Sequence, residues 1–239
     1  MNPPDLATLD AILFDLGGTV LEVRHDAVAK VLARHGAAPA AGWEAAGERA
    51  GRRAMERCLR EHAPPAEVWR AFFVGMMSST GVPLELSERA FPEVRAFHRE
   101  HHLWARVLPG MDEALKALRA RGYRVAAVSN SDGRAQAILA DLGLGERFEF
   151  VIDSHDVGVE KPDARIFLLA CERLGLAPAR CAYVGDVMAF DVEGARGAGL
   201  VPVLFDPYGC YDEGPVDGAH ARSPEDLLAL FPGRARRSA

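Results

Sequence analysis

Residues 11–20 read Ala-Ile-Leu-Phe-Asp-Leu-Gly-Gly-Thr-Val. Four apolar residues run directly into Asp15, and a Gly-Gly-Thr turn follows. A short continuous apolar run bounded by glycines reads as a buried strand over 11–16, of the kind found in parallel sheets. Asp15 then stands at the carboxyl end of that strand, where open α/β sheets bind their ligands. Gly17 and Gly18 let the backbone approach a ligand closely, with the N–H groups of 16–19 turned toward an anion, and Thr19 adds a hydroxyl. A carboxylate beside anion-binding amides makes chemical sense if a cation joins it or if the carboxylate itself attacks. The plainer alternative is a turn begun by Asp15 and completed by the two glycines. On this stretch alone the two readings weigh the same.

The rest of the chain sets the context. Its 239 residues suit one large domain or two modest ones, and a 49% hydrophobic composition is enough for a substantial core. No apolar run reaches the length of a membrane span, and the opening Met-Asn-Pro-Pro-Asp-Leu has neither a basic nor a hydrophobic leader segment. The net charge of −6 argues against a general nucleic-acid surface. Cys58, Cys171, Cys181 and Cys210 show no CxxC spacing and read as reduced thiols of a cytoplasmic protein. Lysines number only three, Lys30, Lys116 and Lys161, among 28 lysines and arginines, which makes each one easy to weigh.

From Arg24 to Trp104 the chain is rich in Ala, Arg and Glu, with apolar residues at helical spacing. It predicts helices near 25–36, 43–62, 65–80 and 84–103, punctuated by Gly36, Gly81 and Pro64-Pro65. The stripe Trp69, Phe72, Phe73, Met76 and Met77 reads as the core of a small bundle. After Leu108-Pro109-Gly110 strands and helices alternate. Helices are expected at 111–121, 133–142, 162–174, 191–198 and 223–230, and strands at 124–130, 148–153, 181–185 and 200–205. Ser223 is a suitable N-cap with Pro224 behind it, and the basic tail 233–239 reads as a frayed end. This alternation predicts an α/β fold, a doubly wound parallel sheet interrupted after its first strand by an α-helical insertion. The core is then 1–22 with 105–239, and the insertion 23–104.

Three later stretches carry polar groups at the same sheet edge. Val-Ser-Asn-Ser at 128–131 offers Ser129 and Asn130, Glu-Lys-Pro-Asp at 160–163 offers Lys161 just before a helix, and Tyr-Val-Gly-Asp at 183–186 ends in Asp186, with Asp191 five residues on. Singly, each has an ordinary structural explanation as a turn cap, a solvated charge or a helix cap. Together, two or three of the carboxylates Asp15, Asp186 and Asp191 would surround a hard cation such as Mg2+, and Ser129, Lys161 and the 16–19 amides would hold a phosphoryl group that Asp15 attacks.

The Asp15–Thr19 loop, Ser129, Lys161-Pro162, and Gly185-Asp186 with Asp191, in this order, resemble the haloacid dehalogenase superfamily over nearly the whole chain. The helical insertion resembles its C1 cap. The resemblance implies Asp15 as nucleophile and metal ligand, the Gly17 main-chain oxygen as a second ligand, and Asp186 completing the metal site with Asp191 supporting it or ligating. It implies Ser129 and Lys161 on the phosphoryl group, with Gly18, Thr19 and Asn130 beside it, and a small phosphorylated metabolite as substrate, with no nucleic acid or membrane partner. Both a monomer and a homodimer are compatible with the sequence.

One departure from the family pattern stands out. Its phosphatases usually carry a second Asp two residues after the nucleophile as general acid and base, and here that position is Gly17. Losing such a group costs on the order of 10²–10⁴ in rate. A substrate with a good leaving group, a self-assisting substrate, Glu22 or His25 standing in, or a phosphate-binding protein without catalysis would each accommodate the change. Dehalogenases also lack the second Asp but need no metal, against which the Gly185-Asp186 and Asp191 set argues. Phosphonoacetaldehyde hydrolases use a cap lysine, and Lys30 is the only lysine in the insertion, where a solvated helix position explains it more simply. Arg24, His25, His98, His101 and His102 are candidate substrate contacts, weighed against simple solvation of helix-surface histidines.

Overall fold

The computed structural model describes residues 6–211 and 218–233. The basic tail expected to fray begins at its edge, and 234–239 lie outside the described residues. The chain divides into two compact units. One holds, of the described residues, 6–22, Arg106–Pro207 and 218–233. The other holds Val23–Ala105 together with 208–211.

The first unit is built on β1 (Ala11–Phe14). All four of its residues are fully buried, which is why an unbroken apolar run suits this position. The chain leaves on β2 (Leu21–Val23) and returns on β3 (Trp104–Val107), and these two strands pair with each other. Between them lie the four helices of the second unit, α1 (His25–Arg34), α2 (Glu44–Arg60), α3 (Pro65–Ser78) and α4 (Leu84–His101). The first unit then alternates α5 (Met111–Ala120), β4 (Arg124–Ser129), α6 (Ala135–Asp141), β5 (Val151–Asp153), α7 (Ser154–Val157), α8 (Ala164–Leu174), β6 (Cys181–Gly185), α9 (Glu193–Gly197), β7 (Val201–Phe205), β8 (Ala219–Ala221) and α10 (Pro224–Leu230).

Six strands form one sheet in the order β5-β4-β1-β6-β7-β8, every pairing between neighbours being parallel. β1 is central. The chain builds outward on one side through β4 and β5, then crosses to the other through β6 and β7. The strand order therefore reverses at β1, which makes its carboxyl end a topological switch point. Phe14 lies level with Ala127 of β4 and Val184 of β6, so Asp15, Ser129 and Gly185-Asp186 leave the sheet along one edge. One face of the sheet packs Leu13, Val128 and Tyr183 against Ile166, Phe167, Ala170 and Cys171 of α8. Side chains of this size contribute about 1.5–3 kcal/mol each when fully buried.

The other unit is a helical bundle in which α2 and α3 pack closely. A Cβ on Gly51 would stand 2.6 Å from the Phe72 carbonyl oxygen, and one on Gly75 would meet Ala54 Cβ at 3.0 Å. Of the expected aromatic and methionine stripe, Phe72, Phe73, Met76 and Met77 are buried in its core and Trp69 is half-buried.

The differences from the sequence reading lie at element ends and in short elements. The first strand stops at Phe14, because Leu16 turns back to accept from the N–H groups of Thr19, Val20 and Leu21. β2, β3, α7 and β8 have three or four residues each, too few for a periodic signal. The helix expected at 191–198 begins earlier, as a π-helical turn over Met188–Val192. Ser223 does cap α10, accepting from the Asp226 N–H, with Pro224 at the first turn. No helix among the described residues is long and apolar enough to cross a membrane, and all four cysteines are free thiols.

Candidate active site

Asp15 follows β1, and its N–H donates to the Val184 carbonyl at 2.8 Å, which locks the residue to the end of β6. Its carboxylate is buried, as are those of Asp186 and Asp191. One oxygen from each of the three lies within 4.8 Å of the others. Asp191 projects from the π-helical turn, a feature that often marks functional positions. It exchanges two bonds with Val187, its N–H donating to the Val187 carbonyl at 2.8 Å and its Oδ2 accepting from the Val187 N–H at 2.9 Å. A Cβ on Gly185 would sit 2.3 Å from Asp191 Cγ, so the glycine is needed here for space.

Lys161 brings the one ammonium into this cluster. Its Nζ donates to Asp15 Oδ1 at 2.5 Å, to Asp191 Oδ1 at 2.8 Å and to the Tyr183 hydroxyl at 2.9 Å. Burial works against its charge, but Asp15 and Asp191 outweigh that and hold it well above the ordinary lysine range. Burial pushes Asp15 up to about 6, against the pull of Lys161 and with the repulsion of Asp191. Three carboxylates and one ammonium carry a formal net charge of −2 in a desolvated space. Hard oxygen donors with a net charge of −2 suit a small divalent cation such as Mg2+.

The turn after Asp15 differs from the expectation. The N–H of Gly18, whose φ is +92°, donates to the Leu21 carbonyl at 2.6 Å, and that of Thr19 to Leu16 at 3.3 Å. The Thr19 hydroxyl is fully buried and donates to Asp186 Oδ1 at 3.4 Å. Gly18 and Thr19 thus spend the groups assigned to a phosphate on shaping the turn and steadying a carboxylate. The turn's bonds are made by Leu16 and Gly18, on either side of Gly17. Asn130 spends its side chain on Lys161. Its Nδ2 donates to the Lys161 carbonyl at 3.0 Å and its Oδ1 accepts from the Lys161 N–H at 2.8 Å, a two-bond clamp on the lysine's backbone. Ser129 is buried at the end of β4, at the same edge.

The candidate substitutes for the missing acid have other partners. Glu22 pairs with Arg106 at 3.5 Å. His25 is buried in the helical unit, 2.9 Å from Glu48 and edge-on to Trp43. In the same unit Arg24 lies over the Phe97 ring, and Lys30 is exposed beside Asp26. His98 Nδ1 accepts from the Leu103 N–H, and His102 packs against its ring. His101 is exposed.

A family model described as haloacid dehalogenase-like hydrolase matches residues 9–199. The chain belongs to this family of hydrolases. Its relatives include the mouse haloacid dehalogenase-like hydrolase domain-containing protein 3, 46% identical over 94 residues, a match spanning 39% of this chain and only 38% of the mouse protein. A phosphoglycolate phosphatase of Pseudomonas putida is 30% identical over 232 residues, covering 94% of this chain and 79% of that one. Among solved structures, a HAD-hydrolase from Bacillus subtilis described as bound to magnesium superposes with a TM-score of 0.66 at 20% identity, over 93% of this chain and 98% of that one, a likeness of fold.

Two residues of this haloacid dehalogenase-like site were not singled out by the sequence. Asp153 is buried and accepts from the N–H groups of Gly133, Ala135 and His155, bracing the loop after β4. Tyr183 read as part of an apolar strand. The one available signal is that a buried tyrosine hydroxyl needs a partner.

Proposed function

We propose that the protein is a Mg2+-dependent phosphatase of small phosphorylated metabolites, working through a phosphorylated Asp15. The observation that carries this is the buried cluster of Asp15, Asp186, Asp191 and Lys161 at the switch point of the sheet. The relative named phosphoglycolate phosphatase, matched over 94% of this chain, supports the substrate class. In this reading Asp15, Asp186 and the Gly17 carbonyl oxygen hold the metal. Asp191 supports them by fixing Lys161 and the turn at Val187. The cation supplies charge that offsets the repulsion between carboxylate and phosphate and stabilises the transferring group.

The Asp15 carboxylate oxygen attacks phosphorus as the bond to the leaving oxygen breaks, and water then cleaves the acyl phosphate and releases phosphate. Lys161 and Ser129 bind the phosphoryl oxygens. The leaving oxygen departs without a proton from residue 17, which favours substrates whose leaving group is stable as an anion. The helical unit serves as a C1 cap that selects the substrate.

The test is phosphate release from sugar, nucleotide, acyl and aryl phosphates, with Mg2+, with chelator, and with Asp15→Asn. Release that requires both Mg2+ and Asp15, strongest for acyl and aryl phosphates, is expected. A folded, Mg2+-binding protein inactive on the whole panel overturns the reading.

A further inference from the structure

An ammonium has three protons to donate. In this structure Lys161 has three acceptors within 2.9 Å, namely Asp15, Asp191 and Tyr183. A phosphoryl group that is to be held by Lys161 must therefore take the place of one of them. The bond to Asp15 is the one that the reaction itself weakens, since a carboxylate oxygen that becomes an acyl phosphate loses most of its negative charge. Asp191 and Tyr183 then remain as the two fixed anchors of Nζ. Asp191 neutralises part of the ammonium's charge, whereas a neutral hydroxyl anchors it and leaves the charge for the incoming oxygens.

The Tyr183 hydroxyl is suited to that task by its second bond. It donates to the Val128 carbonyl at 2.9 Å, so its proton is committed and its lone pair faces Lys161. Burial, reinforced by Asp191 and Asp15 and opposed by Lys161, holds the phenol well above its ordinary range, which keeps it neutral. Its ring is pinned edge-on to Phe167, with centroids 4.8 Å apart. Val128 immediately precedes Ser129. One hydroxyl thus ties Lys161 to the end of the strand that carries Ser129, two groups separated by 32 positions in the chain.

We propose that Tyr183 is a positioning residue that holds the Lys161 ammonium and the end of β4 in register, so that Lys161 and Ser129 grip a phosphoryl group together. This rests on the phosphatase reading above. The experiment compares wild type, Tyr183→Phe, Lys161→Met and the double variant, all loaded with Mg2+. The readouts are calorimetric affinity for orthophosphate and orthovanadate, KM and kcat on an aryl phosphate, and thermal midpoint. A hydrogen bond to a charged group has a worth corresponding to about 10-fold or more in affinity. Tyr183→Phe is expected to bind both oxyanions about 10-fold more weakly and to raise KM, with Mg2+ affinity unchanged. In the Lys161→Met background it is expected to add no further loss.

Wild-type oxyanion affinity in Tyr183→Phe overturns the proposal, and so does an equal loss in both backgrounds. Should the Phe variant not fold, 3-fluorotyrosine placed at 183 weakens the hydroxyl as an acceptor without changing the packing. A smaller loss of oxyanion affinity supports the role, and an unchanged affinity overturns it. A wild-type protein that binds neither oxyanion and releases no phosphate overturns the phosphatase reading and the role of Tyr183 with it, an outcome distinct from failure of the Tyr183 comparison alone.

Discussion

Asp15 shows at the scale of one residue how a site can oppose stability. Its carboxylate is buried beside two others with one ammonium between them, and burial already lifts it to about 6. Without a cation this is an unfavourable arrangement. Asp15→Asn keeps an acceptor for Lys161 and removes one negative charge. We expect the metal-free variant to melt higher than metal-free wild type by calorimetry, while phosphate release falls by at least about 10³-fold. Gly185 makes the complementary case. Its substitution by alanine puts a methyl group into the Asp191 carboxyl, which must move with its bond to Lys161. Displacements on this scale cost about 10²-fold in rate, and kcat of Gly185→Ala on an aryl phosphate measures it. Both residues stand out in the sequence as strand-end Asp and Gly. That Gly185 is needed for space rather than for its backbone angles is visible only with Asp191 in place.

At the scale of elements, the helical unit depends on the close approach of α2 and α3. Gly51→Ala introduces a Cβ 2.6 Å from the Phe72 carbonyl oxygen, a backbone atom that cannot swing away. Overpacking of this kind costs about 1–3 kcal/mol, and denaturant unfolding of the variant should show a loss in that range. The sequence marks Gly51 only as a poor helix former inside an amphipathic helix, and nothing in its neighbourhood says what it faces. In the first unit Asp112 ties α5 to the turn at Arg147, accepting from Arg147 at 2.5 Å and from Lys116 at 2.6 Å. The Arg147 bond leads in holding its carboxyl below the usual value of 3.8. Since its pKa in the folded state lies below that of the unfolded chain, its stabilisation is present above about pH 3.8 and is lost as pH falls through the folded value. Melting curves should therefore show Asp112→Asn less stable than wild type at pH 7, by a small margin since the pair is part exposed, with the difference closing in acid.

For the molecule as a whole, the net charge of −2 among the site's four groups would couple folding to the binding of the proposed cation. A ligand that binds only the folded state stabilises it by mass action, about 2.7 kcal/mol at a hundredfold excess over Kd. For a chain of this size that is about 5 °C or more. Mg2+ should raise the thermal midpoint by such an amount, chelator should abolish the rise, and Asp186→Asn should not show it. A midpoint indifferent to Mg2+ would exclude a metal at these carboxylates.

What the sequence determined by itself is what local pattern can encode. Apolar runs ending in polar residues marked β1, β4 and β6, helical spacing marked the inserted bundle, and alternation of the two implied a parallel sheet whose strand ends lie together. That placed Asp15, Ser129, Lys161, Asp186 and Asp191 at one edge. The tertiary structure alone decided which partner each polar group takes. Lys161 reaches Asp15 across 146 positions and Tyr183 across 22, and Asn130 spends its amide on the Lys161 backbone across 31. The Gly18 and Thr19 amides close their own turn, to Leu21 and Leu16. Periodicity reports which face of an element is buried, because burial follows from the element's own repeat. A hydrogen bond between distant residues depends on strand order and register, and no local segment carries that information.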